Sequence, residues 1–173
     1  GKYANFVSGS QKTVDKKRVA TVSRYAQNIP KATVLDVGCG KPTFLKMLFE
    51  QYKCRAVGTD FSNSGWKNAP SEYQNLELLE GDIHELKDLP KADIITMWHY
   101  LEHDYQPAKT LQKLLSIAKS STRLIVEVPN YDSSTRKKYG ASWAGFHTPR
   151  HTALYTPQTM TELLQRNGWK VES

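Results

Sequence analysis

Five short apolar runs, separated by helical periodicity or polar turns, constrain this chain more than any other feature. They read "TVLDVG", "CRAVGTD", "NLELLEGD", "ADIITMW" and "TRLIVEV". The first reads as a buried strand, the third alternates, and the fifth ends at Pro129. Helical spacing fills the gaps. Thr13 to Asn28 carries Val14, Val22, Tyr25 and Ala26 on one side, and "TFLKMLFEQY" carries Phe44, Leu45, Leu48, Phe49 and Tyr52. Pro107 opens a helix whose apolar stripe is Leu111, Leu114, Leu115 and Ala118. Thr156-Pro157 reads as an N-cap with proline at N1, Gly168 as a C-terminal stop, and "WKVE" as the start of a sixth strand. Strands alternating with helices predict an α/β fold in three layers: a doubly wound, mostly parallel sheet with helices on both faces.

A chain of 173 residues is long enough for one domain with a real core, expected over 1–173, with an irregular excursion at about 130–152. No apolar run approaches the roughly 18 residues of a membrane span, so no membrane role is expected. The N-terminal "GKYANFVSGSQKT" has no apolar signal-peptide core. The two cysteines lack CxxC spacing, so neither a disulfide framework nor a zinc site is expected, and a cytoplasmic setting fits. The net charge of +7 permits nucleic acid as a partner. The lysines are scattered, however, and the densest runs, "DKKRVA" and "STRKKYG", are short, which favours an ordinary basic surface. Oligomeric state is not legible.

The loop after the first strand, "VGCGKPTF", carries Gly38 and Gly40 but has Pro42 and Thr43 where a third glycine would stand, and Pro42 is expected in the first turn of the helix that follows. A phosphate-cradling G-x-x-x-x-G-K-[ST] is ruled out by Leu35 and Pro42. A dinucleotide G-x-G-x-x-G misses its last glycine at Thr43. A cofactor without a pyrophosphate needs fewer glycines, and S-adenosylmethionine is one. Its sulfonium and ammonium would favour an acid beside the loop, a place filled by Asp36. Asp60, ending the second strand 20 residues after Gly40, suits ribose hydroxyls. Asp82, after the third strand, suits an adenine amino group, with Ile83 able to pack on the ring. Asp60 alone fits NAD equally well.

Taken in series, "VLDVGCG", "AVGTDFS", "GDIHEL", "ADIITMWHYLEH", "LIVEVPN" and "PRHTALYTPQTMTELLQRNGW" resemble the class I S-adenosylmethionine-dependent methyltransferases. The nearer resemblance is to the bacterial group similar to ubiquinone-biosynthesis O-methyltransferases. It implies a Rossmann-like sheet of seven strands, of which the C-terminal edge strand would be missing here. It also implies cofactor contacts at Asp36, Gly38, Cys39, Gly40, Asp60, Phe61, Asp82 and Ile83, with Trp98 and His99 beside the cofactor.

Methyl transfer to a hydroxyl needs an aligned nucleophile and a proton acceptor, and histidine suits the second task near neutral pH. His103, His147 and His151 are the candidate catalytic residues. Trp143 and Phe146 are candidates for an apolar acceptor wall, and Arg150 for binding an anionic acceptor. His99 and His103 form H-x-x-x-H without the zincin glutamate placement, so no metal is expected. The expected function is transfer of a methyl group from S-adenosylmethionine to a small-molecule acceptor, at oxygen. The alternatives are a nucleic-acid methyltransferase and a non-catalytic cofactor-binding subunit. "WHYL" stands where an amino-methylase would carry an N-P-P-Y-like run.

Overall fold

A computed structural model describes residues 2–26, 28–146 and 150–172. Five strands make one sheet: β1 (Thr33–Val37), β2 (Arg55–Asp60), β3 (Glu77–Glu80), β4 (Ala92–Trp98) and β5 (Ala118–Glu127). Their order is β3-β2-β1-β4-β5, and every pairing is parallel. The chain winds outward in one direction through β2 and β3, then in the other through β4 and β5. The switch in strand order therefore falls between β1 and β4, where sheets of this kind open a crevice beyond their carboxyl ends.

The helices are α1 (Lys2–Tyr25), α2 (Thr43–Tyr52), α3 (Pro107–Ile117), α4 (Ser134–Tyr139) and α5 (Pro157–Arg166). Alternate residues of each strand point to opposite faces, and the core divides accordingly. Val34, Ile94 and Trp98 pack with Val19 and Val22 of α1 and with Phe44, Leu45 and Leu48 of α2. Leu35, Val37, Ile95 and Met97 pack with Leu111, Leu114 and Ile117 of α3, and α5 closes this second face through Met160, Leu163 and Leu164. The sheet therefore has a helical layer on each side, and full burial of each such side chain contributes about 1.5–3 kcal/mol. Thr156 caps α5 in a reciprocal capping box with Thr159, and Pro157 opens the helix.

Four expectations change. The buried side of α1 is Asp15, Val19 and Val22, whereas Val14 and Tyr25 are exposed. Asp15 is tolerated inside because the Gln11 amide donates to it at 2.9 Å. In α3, Thr110 and Ile117 are buried while Leu115 is exposed, and Ala118 already belongs to β5, paired with Ala92. Pro42 sits one residue before the helix, and its carbonyl accepts the Lys46 N–H at 3.0 Å. Finally, "WKVE" forms no strand, and the described residues make five strands where seven were implied. Trp169 turns inward instead. Its indole N–H donates to the Leu111 carbonyl at 3.1 Å and its backbone N–H to the Leu164 carbonyl at 3.0 Å, tying the segment to α3 and α5, while among the described residues Glu172 reaches β5 only through an ion pair with Arg123 at 2.7 Å.

Candidate functional site

The carboxyl ends of β1, β2 and β4 open onto a cleft of about 550 Å³, lined by Gly38, Asp60, Phe61, Asp82, Tyr100 and His103 among others. A second cavity of about 380 Å³, lined by Asn28, Lys31, Asp93 and Arg123, lies at the opposite ends of the strands, the wrong end of a parallel sheet for a cofactor.

The glycine loop forms one wall of the cleft. Gly38 has φ +73°, and a Cβ there would stand 2.4 Å from the Tyr100 ring, so a side chain is excluded both by conformation and by contact. Gly40 has φ +51° and open space beside it. The amides of Gly38 and Cys39 both donate to the Thr59 carbonyl, at 2.8 and 3.0 Å. Asp60 joins this loop to the next. Its Oδ2 accepts the Gly40 N–H at 2.9 Å and its Oδ1 the Ser62 N–H at 3.2 Å. A Cβ on Gly65 would meet the Gly40 carbonyl oxygen at 2.1 Å, so the turn after β2 rests directly on the glycine loop. Trp66 follows and packs against the α1–α2 core.

Asp36 lies beneath the loop, not in the cleft. It is buried and accepts the Thr96 hydroxyl at 2.7 Å. Burial pushes its carboxyl up to about 7, against the hydrogen bond from Thr96 and the nearby Arg18 charge, and the carboxylates of Asp15 and Asp60 push the same way as burial. Cys39 is buried, and burial pushes its thiol far above the ordinary range, so it offers no nucleophile. Phe61 is 62% exposed on the cleft wall. Asp82 lines the cleft and accepts the His84 N–H at 2.9 Å. Ile83 is buried in the core below. Trp98 is also buried, edge-on to Phe44 with ring centroids 5.3 Å apart and with the Arg18 guanidinium over its own ring at 5.1 Å.

The facing side of the cleft begins at His99, which adopts φ +56° at the end of β4. Its Nδ1 donates to Glu102 Oε1 at 3.0 Å and its Nε2 meets Glu127 Oε1 at 3.1 Å. These two carboxylates raise the imidazole to about 9, against partial burial, while His99 holds Glu127 below its ordinary value. His99 is thus a cation at neutral pH, clamping the end of β4 to the end of β5. Glu102 itself is 1% exposed, and its Oε2 makes no hydrogen bond among the described residues.

The excursion after β5 returns to the same place. Thr152 N–H donates to the Glu102 carbonyl at 2.7 Å, and its hydroxyl to the same oxygen at 3.1 Å. His103 Nδ1 bonds the Arg150 carbonyl at 2.9 Å, and His151 Nδ1 bonds the Gly145 carbonyl at 2.7 Å. The two imidazoles lie edge to face, 4.7 Å apart. Of the three histidines expected here, His103 and His151 come together and His147 lies outside the described residues. Trp143 and Phe146 pack on each other and on Tyr131, with centroids 5.5–6.3 Å apart, which makes a small core inside the excursion. Arg150 is exposed. Sequence reasoning missed Arg18 and Glu127. Each follows ordinary helix or strand residues, and no local pattern distinguishes them.

The chain matches the model of a methyltransferase domain over residues 11–173. It is 28% identical over 112 residues to an uncharacterised 37.1 kDa protein of a Streptomyces fradiae transposon, covering 61% of this chain and 32% of that protein. It is 26% identical over 128 residues to an uncharacterised Haemophilus influenzae protein, covering 67% and 49%. The chain thus spans half or less of the length of these curated relatives. Its fold is shared with an S-adenosylmethionine-dependent methyltransferase of Archaeoglobus fulgidus (24% identity, TM-score 0.69, 90% of this chain and 69% of that one). It is also shared with the magnesium protoporphyrin IX methyltransferase of Synechocystis, solved with bound S-adenosylhomocysteine (20%, 0.71, 94% and 75%). A three-layer parallel fold, a glycine loop tied to the acid ending β2 and a family match over nearly the whole chain lead to one conclusion: this chain belongs to the methyltransferase domain family.

Proposed function

We propose that this domain binds S-adenosylmethionine along the glycine-loop wall of its cleft and transfers the methyl group to an oxygen of a small molecule entering from the His103–His151 side. One observation carries the reading: a single cleft has the glycine loop, Asp60 and Asp82 on one wall and His99, Tyr100 and His103 on another. When bound, S-adenosylmethionine supplies an electrophilic methyl on a sulfonium. The residues fit such a group. Gly40 has open space where a ligand would approach. Each Asp60 oxygen accepts one backbone N–H and retains a lone pair for a ribose hydroxyl. Asp82 uses Oδ1 for His84, and Phe61 offers an exposed ring for a base. Asp36 acts from below, as a carboxyl whose ionisation a bound cation would favour.

On the acceptor side, His103 and His151 are the groups available to take a proton as a hydroxyl becomes a nucleophile. Their histidine-to-carbonyl bonds hold both rings in place, and His147, Trp143, Phe146 and Arg150 belong to the same excursion. The resemblance to ubiquinone-type O-methyltransferases agrees with oxygen as the acceptor atom.

Calorimetric titration of S-adenosylhomocysteine, with NAD as control, tests the reading. Saturable binding of the first ligand alone is expected. Binding of NAD instead, or of neither, refutes it.

A further inference from the structure

The cavity at the amino-terminal ends of the strands has no part in methyl transfer, yet its walls carry more unengaged donors than an idle hollow would. It encloses about 380 Å³ between the end of α1, the start of β4 and the middle of β5. Lys31 lines it, and its ammonium makes no ion pair or hydrogen bond among the described residues. Arg123 gives Nη1 to Glu172 at 2.7 Å, which leaves Nε and Nη2 without partners among those residues. The Ser121 hydroxyl is unpartnered in the same sense. Asn28 holds left-handed backbone at φ +54° before the Ile29–Lys31 turn, but its side chain does not cap that turn. An asparagine in such a place ordinarily bonds the nearby backbone, so this amide is left over.

The one acid among the described lining residues is already engaged. Asp93 accepts the Thr33 N–H at 2.8 Å through Oδ2 and meets Lys119 Nζ at 2.6 Å through Oδ1. A further cation stands at the rim, where the Arg24 guanidinium lies over the ring of Tyr25, itself a lining residue, at 5.4 Å from its centroid. Four unengaged donor groups around one cavity, with its carboxylate neutralised, favour an anion. Their backbones are fixed by neighbouring structure. The Lys31 N–H donates to the Asn28 carbonyl at 3.1 Å, Arg123 stands in register with Ile94, and Thr122 between Ser121 and Arg123 donates its hydroxyl to the Ala92 carbonyl at 2.6 Å.

We propose that this cavity is a second ligand site, which takes the phosphate group of a small phosphate monoester. The free edge of the Arg123 guanidinium matches two oxygens of one phosphate. Lys31 supplies a point charge, and Asn28 and Ser121 supply neutral donors. The cavity is larger than a phosphate, and Ile94, Ala26, Ala32 and the Tyr25 ring form an apolar wall for the organic remainder. The site is independent of the methyl-transfer reading, since β1 and β4 carry it at their beginnings and the cleft at their ends.

The test is titration of the isotope-labelled full chain with phenyl phosphate, followed amide by amide by NMR at fixed ionic strength, with inorganic phosphate and phenol in parallel. Saturable shifts centred on Asn28, Lys31, Ser121 and Arg123 are expected with phenyl phosphate, the same shifts at lower affinity with inorganic phosphate, and none with phenol. Lys31→Gln and Arg123→Gln, both at exposed positions, should each weaken binding by about tenfold or more, the loss of one charge-assisted bond. Arg123→Lys, which keeps the charge and loses the fork, should not restore it. Absence of a saturable shift with either phosphate overturns the proposal. Shifts confined to the Gly38–Gly40 loop overturn it too, by placing the anion in the cleft, as does an affinity unchanged in both glutamine variants, which would reduce the binding to the chain's overall positive charge.

Discussion

Asp36→Asn should stabilise this protein, and by an amount that grows with pH. In the folded state burial holds the Asp36 carboxyl near 7, against an ordinary value of 3.8. An acid raised on folding binds its proton more tightly in the native state. Between pH 4 and 7 the native chain keeps that proton while the unfolded chain has lost it. Stability therefore falls as pH rises through this window, and the penalty is complete above 7. At about 1.4 kcal/mol per pH unit, the cost is about 4 kcal/mol at pH 8 and about 2 kcal/mol at pH 5. Asparagine carries no charge to bury and still accepts the Thr96 hydroxyl through its own oxygen, as Asp36 does at 2.7 Å. Urea unfolding of both proteins at pH 5 and pH 8 measures the difference. The advantage of the variant should widen by about 2–3 kcal/mol between the two, and packing changes common to both pH values cancel. A pH-independent difference would refute the reasoning, and a variant less stable at pH 8 than at pH 5, relative to the parent, would reverse its sign.

Other outcomes follow from the same geometry. Asp60→Ala removes the acceptor of the Gly40 and Ser62 amides and should weaken S-adenosylhomocysteine at least tenfold by calorimetry; an unchanged affinity would separate Asp60 from the ligand. Gly38→Ala places a Cβ 2.4 Å from Tyr100 at φ +73° and should cost about 2 kcal/mol in thermal or urea unfolding. A Tyr100→Ala background should restore part of that loss, and no restoration would remove the contact as its cause. Trp169→Phe deletes the indole bond to Leu111 and should lower stability by about 1 kcal/mol; an unchanged unfolding midpoint would show that water replaces the bond.

The strands were legible because a parallel sheet buried on both faces needs continuous Val, Ile and Leu, and "TVLDVG" and "ADIITMW" supply them. Gly38, Asp60 and Asp82 were legible for a related reason: each ends or follows a strand, and strand ends converge on the crevice. The phase of α1 was misread because Asp15 faces inward, and a buried acid looks like a surface residue in any periodicity argument. "WKVE" has the composition of a strand, yet its tryptophan bonds a carbonyl on α3 and, among the described residues, its glutamate meets β5 only through the Arg123 side chain. Glu102, His103 and His151 escaped as a group because their meeting depends on Thr152 bonding the Glu102 carbonyl, a contact between residues 50 positions apart. The left-handed backbone of His99 left no trace in the sequence, since nothing in "MWHYL" demands it.

The excursion after β5 is fastened at its feet. Tyr131 N–H donates to the Tyr155 carbonyl at 2.8 Å, Asn130 and Tyr155 pair as an isolated bridge, and Thr152 is stitched to Glu102. A loop with both ends anchored can change length between them at little thermodynamic expense, because closure entropy rises only as the logarithm of loop length, about 0.6 kcal/mol for each doubling. Its tip, from α4 onward, is therefore the part of this molecule most open to evolutionary remodelling. Insertions and deletions there would leave the sheet and the glycine loop in register, so the excursion can change its length without rebuilding the walls of the cleft.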